Sequence, residues 1–311
     1  MNTYDLIVVG GGPAGLSCSL YSSRLGLATL VLETNVMGGL AAIAASIEDY
    51  PGIEKIDGWT FTRIMEKQAM RASAKLVESE QVIQISSAAD GLKNVASASG
   101  RTYSSTAVVI ATGGEPKKLA VEGEERLARK GVHYCAQCAG PAYKGGLAAV
   151  CGNGNPALIA ALHLLQLAEE VFFITEDKCL SGEWVLEKKL KNENRFHLLP
   201  ETRIRRIIGD ARVEAVEVQP LDGGKARRLT IEGLFIYTGI VPRTGIVQAD
   251  KDRHGFLKVD STLQTSIAGI FAAGNVIGPD CRTVIAAGEG ARAALSAAAY
   301  IDGFKARGRR P

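Results

Sequence analysis

Apolar residues gather along this chain in short, β-branched runs, and glycine closes most of them. Leu6-Ile7-Val8-Val9 leads into Gly10-Gly11-Gly12-Pro13-Ala14-Gly15, and Leu16, Leu20 and Tyr21 then recur at helical spacing. Thr29-Leu30-Val31-Leu32 is a second apolar run, ended by Glu33. Short apolar runs bounded by turn signals predict buried strands, and the recurring apolar positions between them predict a helix. The plan repeats in mid-chain. Leu147-Ala148-Ala149-Val150 precedes Gly152-Asn153-Gly154-Asn155-Pro156-Ala157, a helix is predicted through Leu158, Ala161, Leu162 and Leu165, and Val171-Phe172-Phe173-Ile174 is the next strand. Ala107–Ile110 before Thr112-Gly113-Gly114, Leu234–Tyr237 before Gly239, and Ile270–Ala273 before Gly274-Asn275 are further strand-to-turn passages. An Ala-rich helix is predicted from Thr283 to Tyr300, followed by a solvated basic tail with Lys305, Arg307, Arg309 and Arg310.

The first repeat carries G-x-G-x-x-G at Gly10, Gly12 and Gly15, between a strand and a helix, with Glu33 at the end of the next strand. That context predicts a dinucleotide site. The glycines permit a tight turn and close approach of a pyrophosphate to the helix N-terminus, and the acid accepts ribose hydroxyls. Two such units in one chain predict an α/β fold.

Composition narrows the class. At roughly 150 residues per domain, 311 residues predict two domains. With 46% apolar and 22% charged residues the chain is globular rather than disordered. The net charge of +3 lacks the concentrated basic field of a nucleic-acid or membrane-surface protein. No apolar run reaches the roughly 18 residues of a membrane span, and Met1-Asn2-Thr3-Tyr4-Asp5 lacks a signal peptide's basic region, so a cytoplasmic protein is expected. Of six cysteines, only Cys135 and Cys138 are closely spaced. In a reducing compartment such a pair is redox-active or metal-binding. Zinc would want a second pair or a histidine cluster, so no metal is expected. Cys18 and Cys151 lie in apolar runs and read as core residues.

Gly10–Gly15, Gly38-Gly39, Tyr50-Pro51-Gly52, Ala111-Thr112-Gly113, Cys135-Ala136-Gln137-Cys138, Gly152–Ala157, Phe271–Asn275 and Ala286-Ala287-Gly288-Glu289-Gly290, in this order, resemble the low-molecular-weight thioredoxin reductases over nearly the whole chain. The resemblance implies two Rossmann-like, three-layer ββα domains, the second inserted into the first. An FAD domain would comprise 1–115 and 245–311, and 116–244 would be a pyridine-nucleotide-type domain carrying the redox disulfide. It implies FAD phosphates on Gly10, Gly12, Pro13, Ala14 and Gly15, with the adenosine ribose on Glu33. The rest of the cofactor would lie near Gly39, Gly113, Gly274, Asn275, Arg282, Thr283 and Val284. It further implies that reduced flavin reduces a Cys135–Cys138 disulfide, with Cys138 facing the flavin and Cys135 exchanging with thioredoxin or a thioredoxin-like protein, in a homodimer.

Three departures modify that expectation. The family's phosphate-clamping His-Arg-Arg, and a further Arg beyond it, fall on Thr175, Glu176, Asp177 and Ser181. A like-charge contact near 4 Å is worth on the order of 4 kcal/mol at an effective dielectric of about 20, so NADPH is an unfavourable donor. Two readings remain. Glu176 accepts the 2′-hydroxyl of NADH, or the second site is vestigial and a ferredoxin-type protein supplies electrons, which is the reading placed first. Pro156, lacking an N–H near the first helical turn, adds to it. The resemblance then narrows to the ferredoxin-dependent flavin thioredoxin reductases. The second departure is Ala139 where the family has an Asp proton donor, which makes His133 the candidate in its place. The third is Asn275 for Asp, which keeps the hydrogen-bonding capacity. Cys281 adjoins Arg282 and reads as loop filler. A redox-inactive FAD-binding sensor is the rival from another class, and retention of both cysteines argues against it.

Overall fold

The computed structural model describes residues 3–44, 46–280 and 282–308. The chain divides into two units, 1–115 with 241–311, and 116–240. The return falls at 240/241, ahead of the expected 244/245, where a short strand already runs.

In the first unit, β1 (Thr3–Val9) is followed by α1 (Pro13–Arg24), β2 (Thr29–Leu32), α2 (Gly58–Arg71) and β3 (Lys75–Val77). Then come β4 (Val82–Ser87), β5 (Lys93–Ser97), β6 (Thr102–Ile110) and β7 (Gly114–Pro116). The second unit contains β8 (Val132–His133), α3 (Ala136–Ala139), β9 (Leu147–Gly152), α4 (Asn155–Leu165), β10 (Glu170–Ile174), α5 (Trp184–Lys191), β11 (Phe196–Leu199), β12 (Thr202–Ile208), β13 (Ala215–Pro220), β14 (Arg227–Thr230) and β15 (Gly233–Tyr237). β16 (Ile240–Pro242) brings the chain back, and β17 (Ile270–Ala272) and α6 (Thr283–Gly308) complete the first unit.

The first unit's sheet runs β3-β2-β1-β6-β5-β4, with β17 also paired to β6. β1 is parallel to β2 and to β6, and β17 is parallel to β6. β4 and β5 are antiparallel additions. β1 is buried on both faces, which is why it reads as an unbroken apolar run. Leu6 and Val8 pack with Leu16 and Cys18 of α1 and Ala293, Ala294 and Ala297 of α6. Ile7 and Val9 face Val82, Ile85, Val95 and Tyr103 on the opposite side. The alternation builds three layers.

α1 and α6 touch at backbone distance. A Cβ on Gly290 would stand 2.0 Å from the Ala14 carbonyl oxygen. α6 also runs beyond the expected end at Tyr300, to Gly308. Ile301 is fully buried, Phe304 stacks on Tyr300, and Lys305 reaches Asp5 at 2.7 Å. Lys305 is therefore a helix-anchoring cation rather than part of a free tail. Arg309 and Arg310 lie outside the described residues.

The second unit repeats the plan. Its sheet is parallel throughout, in the order β11-β10-β9-β15-β8. One face packs on α4 and α5 through Val150, Leu158, Leu164, Phe173 and Leu190. The other packs on the antiparallel meander β12-β13-β14 through Cys151, Ile204, Val216, Val218 and Ile236. Two Rossmann-like α/β units, one interrupting the other, are thus the architecture. Among the described residues, no helix is long and apolar enough to cross a membrane.

Candidate functional site

The glycines after β1 differ in what surrounds them. Gly10 has φ +108°, and a Cβ there would meet the Ala111 carbonyl oxygen at 2.3 Å. A Cβ on Gly15 would meet the Gly10 carbonyl oxygen at 1.9 Å. Those two are needed for the turn and for helix–strand packing. Gly12 is different: a Cβ there would find nothing nearer than the Gly39 Cα, at 3.9 Å. That open flank lies at the N-cap of α1, where no side chain caps the helix and Pro13 occupies the first turn. Free N–H groups, the helix dipole and open space fit a pyrophosphate.

Glu33 follows β2 directly. Its carboxylate accepts the Gly11 N–H at 2.6 Å and the Asn35 N–H at 2.9 Å, which holds it at the rim of the turn. Gly38 donates its N–H to the Gly11 carbonyl at 2.7 Å, so Gly39 arrives beside Gly12. β1, β6 and β17 are parallel, so Gly10, Gly113 and Gly274 all emerge at the same sheet edge. A Cβ on Gly113 would point into open space. Gly274, at φ +77°, adjoins Ala14 and donates its N–H to Glu289 of α6 at 2.7 Å. Burial, above all, holds the Glu289 carboxyl above its usual range. Asn275, Arg282, Thr283 and Val284 are half-buried between β17 and the start of α6. Arg282 lies within 3.8 Å of Asp49 and 3.7 Å of Asp280. The expected FAD-binding positions in this unit therefore gather at the carboxyl ends of its parallel strands, and they fit that cofactor. Cys281 lies outside the described residues.

In the second unit, Cys135 and Cys138 form a disulfide, with a Cα–Cα distance of 5.4 Å. Cys135 is the N-cap of α3, and the Cys138 N–H donates to Cys135 Sγ at 3.1 Å. A donor aimed at sulfur favours its thiolate. Cys138 is exposed and Cys135 half-buried. The Ala136 N–H donates to the Tyr237 hydroxyl at 2.8 Å. His133 Nε2 and the Tyr143 hydroxyl are 2.6 Å apart, and the imidazole packs on Phe235. Burial lowers the His133 pKa, so the ring is neutral around pH 7. Neither tyrosine carries a motif, so sequence reading passed over both. Cys18 and Cys151 are buried thiols, as expected, and burial pushes Cys151 up to about 12.

The second glycine turn is built like the first: a Cβ on Gly154, as on Gly12, would find nothing nearer than 3.9 Å. Gly152, at φ +137°, abuts the Tyr237 carbonyl, and α4 begins with Asn155 and Pro156 after the N-cap Gly154. Glu176 and Asp177 follow β10, both exposed. The Asp177 carboxylate accepts from Asn153 Nδ2 at 2.7 Å, so it lies on the turn itself.

The family model for pyridine nucleotide-disulphide oxidoreductases matches residues 4–294. The thioredoxin reductase of Treponema pallidum is 36% identical over 303 residues, covering 96% of this chain and 97% of the relative. The crystal structure of Lactococcus lactis thioredoxin reductase superposes with a TM-score of 0.93 at 29% identity, over 96% of this chain and 99% of that one. A ferredoxin-flavin thioredoxin reductase from Clostridium acetobutylicum is similar at a TM-score of 0.55 and 26% identity, over 98% of this chain and 100% of that one.

Proposed function

From the premise that the chain belongs to the pyridine nucleotide-disulphide oxidoreductase family and is a flavoprotein disulfide reductase, we propose that it reduces thioredoxin or a thioredoxin-like protein with electrons from a ferredoxin-type protein rather than from NADPH. The observation that carries this reading belongs to the second unit. An intact Cys135–Cys138 disulfide stands in the same fold as a dinucleotide turn whose rim holds Glu176 and Asp177, with Asp177 bonded to Asn153. A 2′-phosphate approaching that rim meets carboxylates instead of charge-assisted donors.

Gly10, Gly12, Pro13, Ala14, Gly15 and Glu33 would hold the adenosine diphosphate half of FAD. Gly39, Gly113, Gly274, Asn275, Arg282, Thr283 and Val284 would line the rest. Bound FAD supplies the electron pair that reduces the disulfide. In the reduced form, the Cys135 thiolate, favoured by the Cys138 N–H, attacks one sulfur of the partner's disulfide and releases the other as a thiol. The Cys138 thiolate then attacks Cys135 Sγ, which restores the internal disulfide and frees the second partner thiol. Two electrons leave the chain and one disulfide is reduced. With Ala139 unable to carry a proton, His133 is the proposed relay: its neutral ring, hydrogen-bonded to Tyr143, would take a proton from solvent and pass it to the leaving thiolate. The same reading has the enzyme act as a homodimer in the cytoplasm.

An anaerobic titration of the FAD-loaded protein tests the donor. Millimolar NADPH is expected to leave the flavin absorbance unchanged on a catalytic timescale, and reduced ferredoxin to bleach it. Rapid stoichiometric bleaching by NADPH overturns the reading. Bleaching by NADH alone assigns Glu176 to the ribose of NADH.

A further inference from the structure

Asn153 stands between the two glycines of the second turn, and its side chain is fully used. Its Nδ2 donates to Asp177 Oδ2 at 2.7 Å and to the Cys179 carbonyl at 3.1 Å. Its Oδ1 accepts the Ser181 N–H at 2.9 Å and the Gly154 N–H at 3.0 Å. An amide offers two donors and two lone pairs, so none remains for a ligand. Asn155, the first residue of α4, makes a second clasp. Its Oδ1 accepts the Glu183 N–H at 2.8 Å, and its Nδ2 donates to Glu183 Oε1 at 2.7 Å. Between these clasps the chain lies flat on α4. A Cβ on Gly182 would come within 2.4 Å of Leu158 Cδ1.

The segment after β10 is thus sewn across the turn from both sides. Gly154 N–H, a donor a pyrophosphate would need, is already accepted by Asn153. Pro156 has no N–H to offer. The Glu183 carboxylate is bonded to the first residue of α4, the helix end that otherwise attracts phosphate. By the space a Cβ would find, Gly12 and Gly154 are alike, each with nothing nearer than 3.9 Å; the second turn differs in the two clasps laid across it.

We propose that residues 175–183 are a built-in occupant of the second dinucleotide turn, and that Asn153, by stapling this segment to the turn, is the residue that excludes pyridine nucleotides. Charge alone at Glu176 and Asp177 disfavours the 2′-phosphate of NADPH. The staple excludes NADH equally, because it takes the groups that would meet the pyrophosphate common to both. The inference rests on the proposal that no pyridine nucleotide is the donor, and it supplies the device responsible.

The test uses the FAD-loaded enzyme with Asn153→Ala, and with Asn153→Ala combined with Asp177→Ala. Asn153 is not a residue of positive φ, so alanine is sterically admissible there. Two readouts are taken, hydrogen exchange over residues 175–183 and calorimetric titration with NAD+ and NADP+. In the wild type the segment is protected and neither nucleotide gives binding heat at millimolar concentration. In the variants, protection is expected to fall at least tenfold, and NAD+ to bind at least tenfold more tightly than to wild type. Loss of protection without any gain in NAD+ affinity overturns the staple as the excluding device while leaving the protein-donor reading intact. Unchanged protection overturns it too, since Asn153 would then not be what holds the segment. Micromolar NAD+ or NADP+ binding by the wild type overturns both the inference and the reading it rests on.

Discussion

Hydrogen bonding distinguishes the two redox cysteines. Among the described residues, Cys135 Sγ receives a backbone N–H from its own partner residue, and no such bond reaches Cys138 Sγ. On the proposed mechanism, the sulfur that gains a donor is the better-stabilised thiolate and the other closes the disulfide. Cys138→Ser is therefore expected to abolish turnover with thioredoxin, with the ratio of flavin to protein absorbance unchanged, because Cys138 takes no part in the turn at Gly10–Gly15. Full turnover by that variant would remove the dithiol step. The two glycine turns differ in the side chain that stands between their glycines. Gly11, between the first pair of glycines, has no side chain and gives its N–H to Glu33, whereas Asn153, between the second pair, turns its amide onto the loop beyond β10.

Between elements, the packing of α6 on α1 sets one side of the proposed cofactor cradle. Gly290 brings the two helices to backbone contact beside Ala14, and the residue before it, Glu289, accepts the Gly274 N–H. Gly290→Val places branched carbon where the Ala14 carbonyl already stands. Such overpacking against backbone costs on the order of 1–3 kcal/mol. Because Ala14 belongs to the proposed phosphate turn and Gly274 to the proposed opposite wall, the variant is expected to lose FAD on desalting as well as to melt at a lower temperature. A lowered melting temperature with full flavin content would mean that the helix contact is structural only. The far end of α6 is held separately, by Lys305 on Asp5 and by Phe304 against Gly91.

Across the whole molecule, two histidines of the second unit make its stability depend on pH. Burial lowers the pKa of both His133 and His163, and the buried Nε2 of His163 has no hydrogen-bond partner among the described residues. The unfolded chain therefore binds protons that the folded one resists. Stability rises with pH through this range and is lost as pH falls below the ordinary imidazole value of about 6.5. Calorimetric melting temperatures are expected to drop between about pH 7.5 and pH 5.5, and His163→Leu to shrink that drop. An unchanged difference in the variant would exclude His163 as a contributor. The sequence alone determined the α/β plan, because β1, β2, β9 and β10 are written as local apolar runs and their turns as glycines with fixed spacing. It also marked the close pairing of Cys135 with Cys138, whose three-residue separation is local. It left unread the Asn153 staple, the continuation of α6 past Tyr300 and the Gly290–Ala14 contact. Asn153 and Asp177 are 24 residues apart, and Ala14 and Gly290 lie at opposite ends of the chain. Such partners meet only once parallel register has aligned β9 with β10, and β1 with β6 and β17, so tertiary structure alone decided which glycine turn is clasped by its own chain.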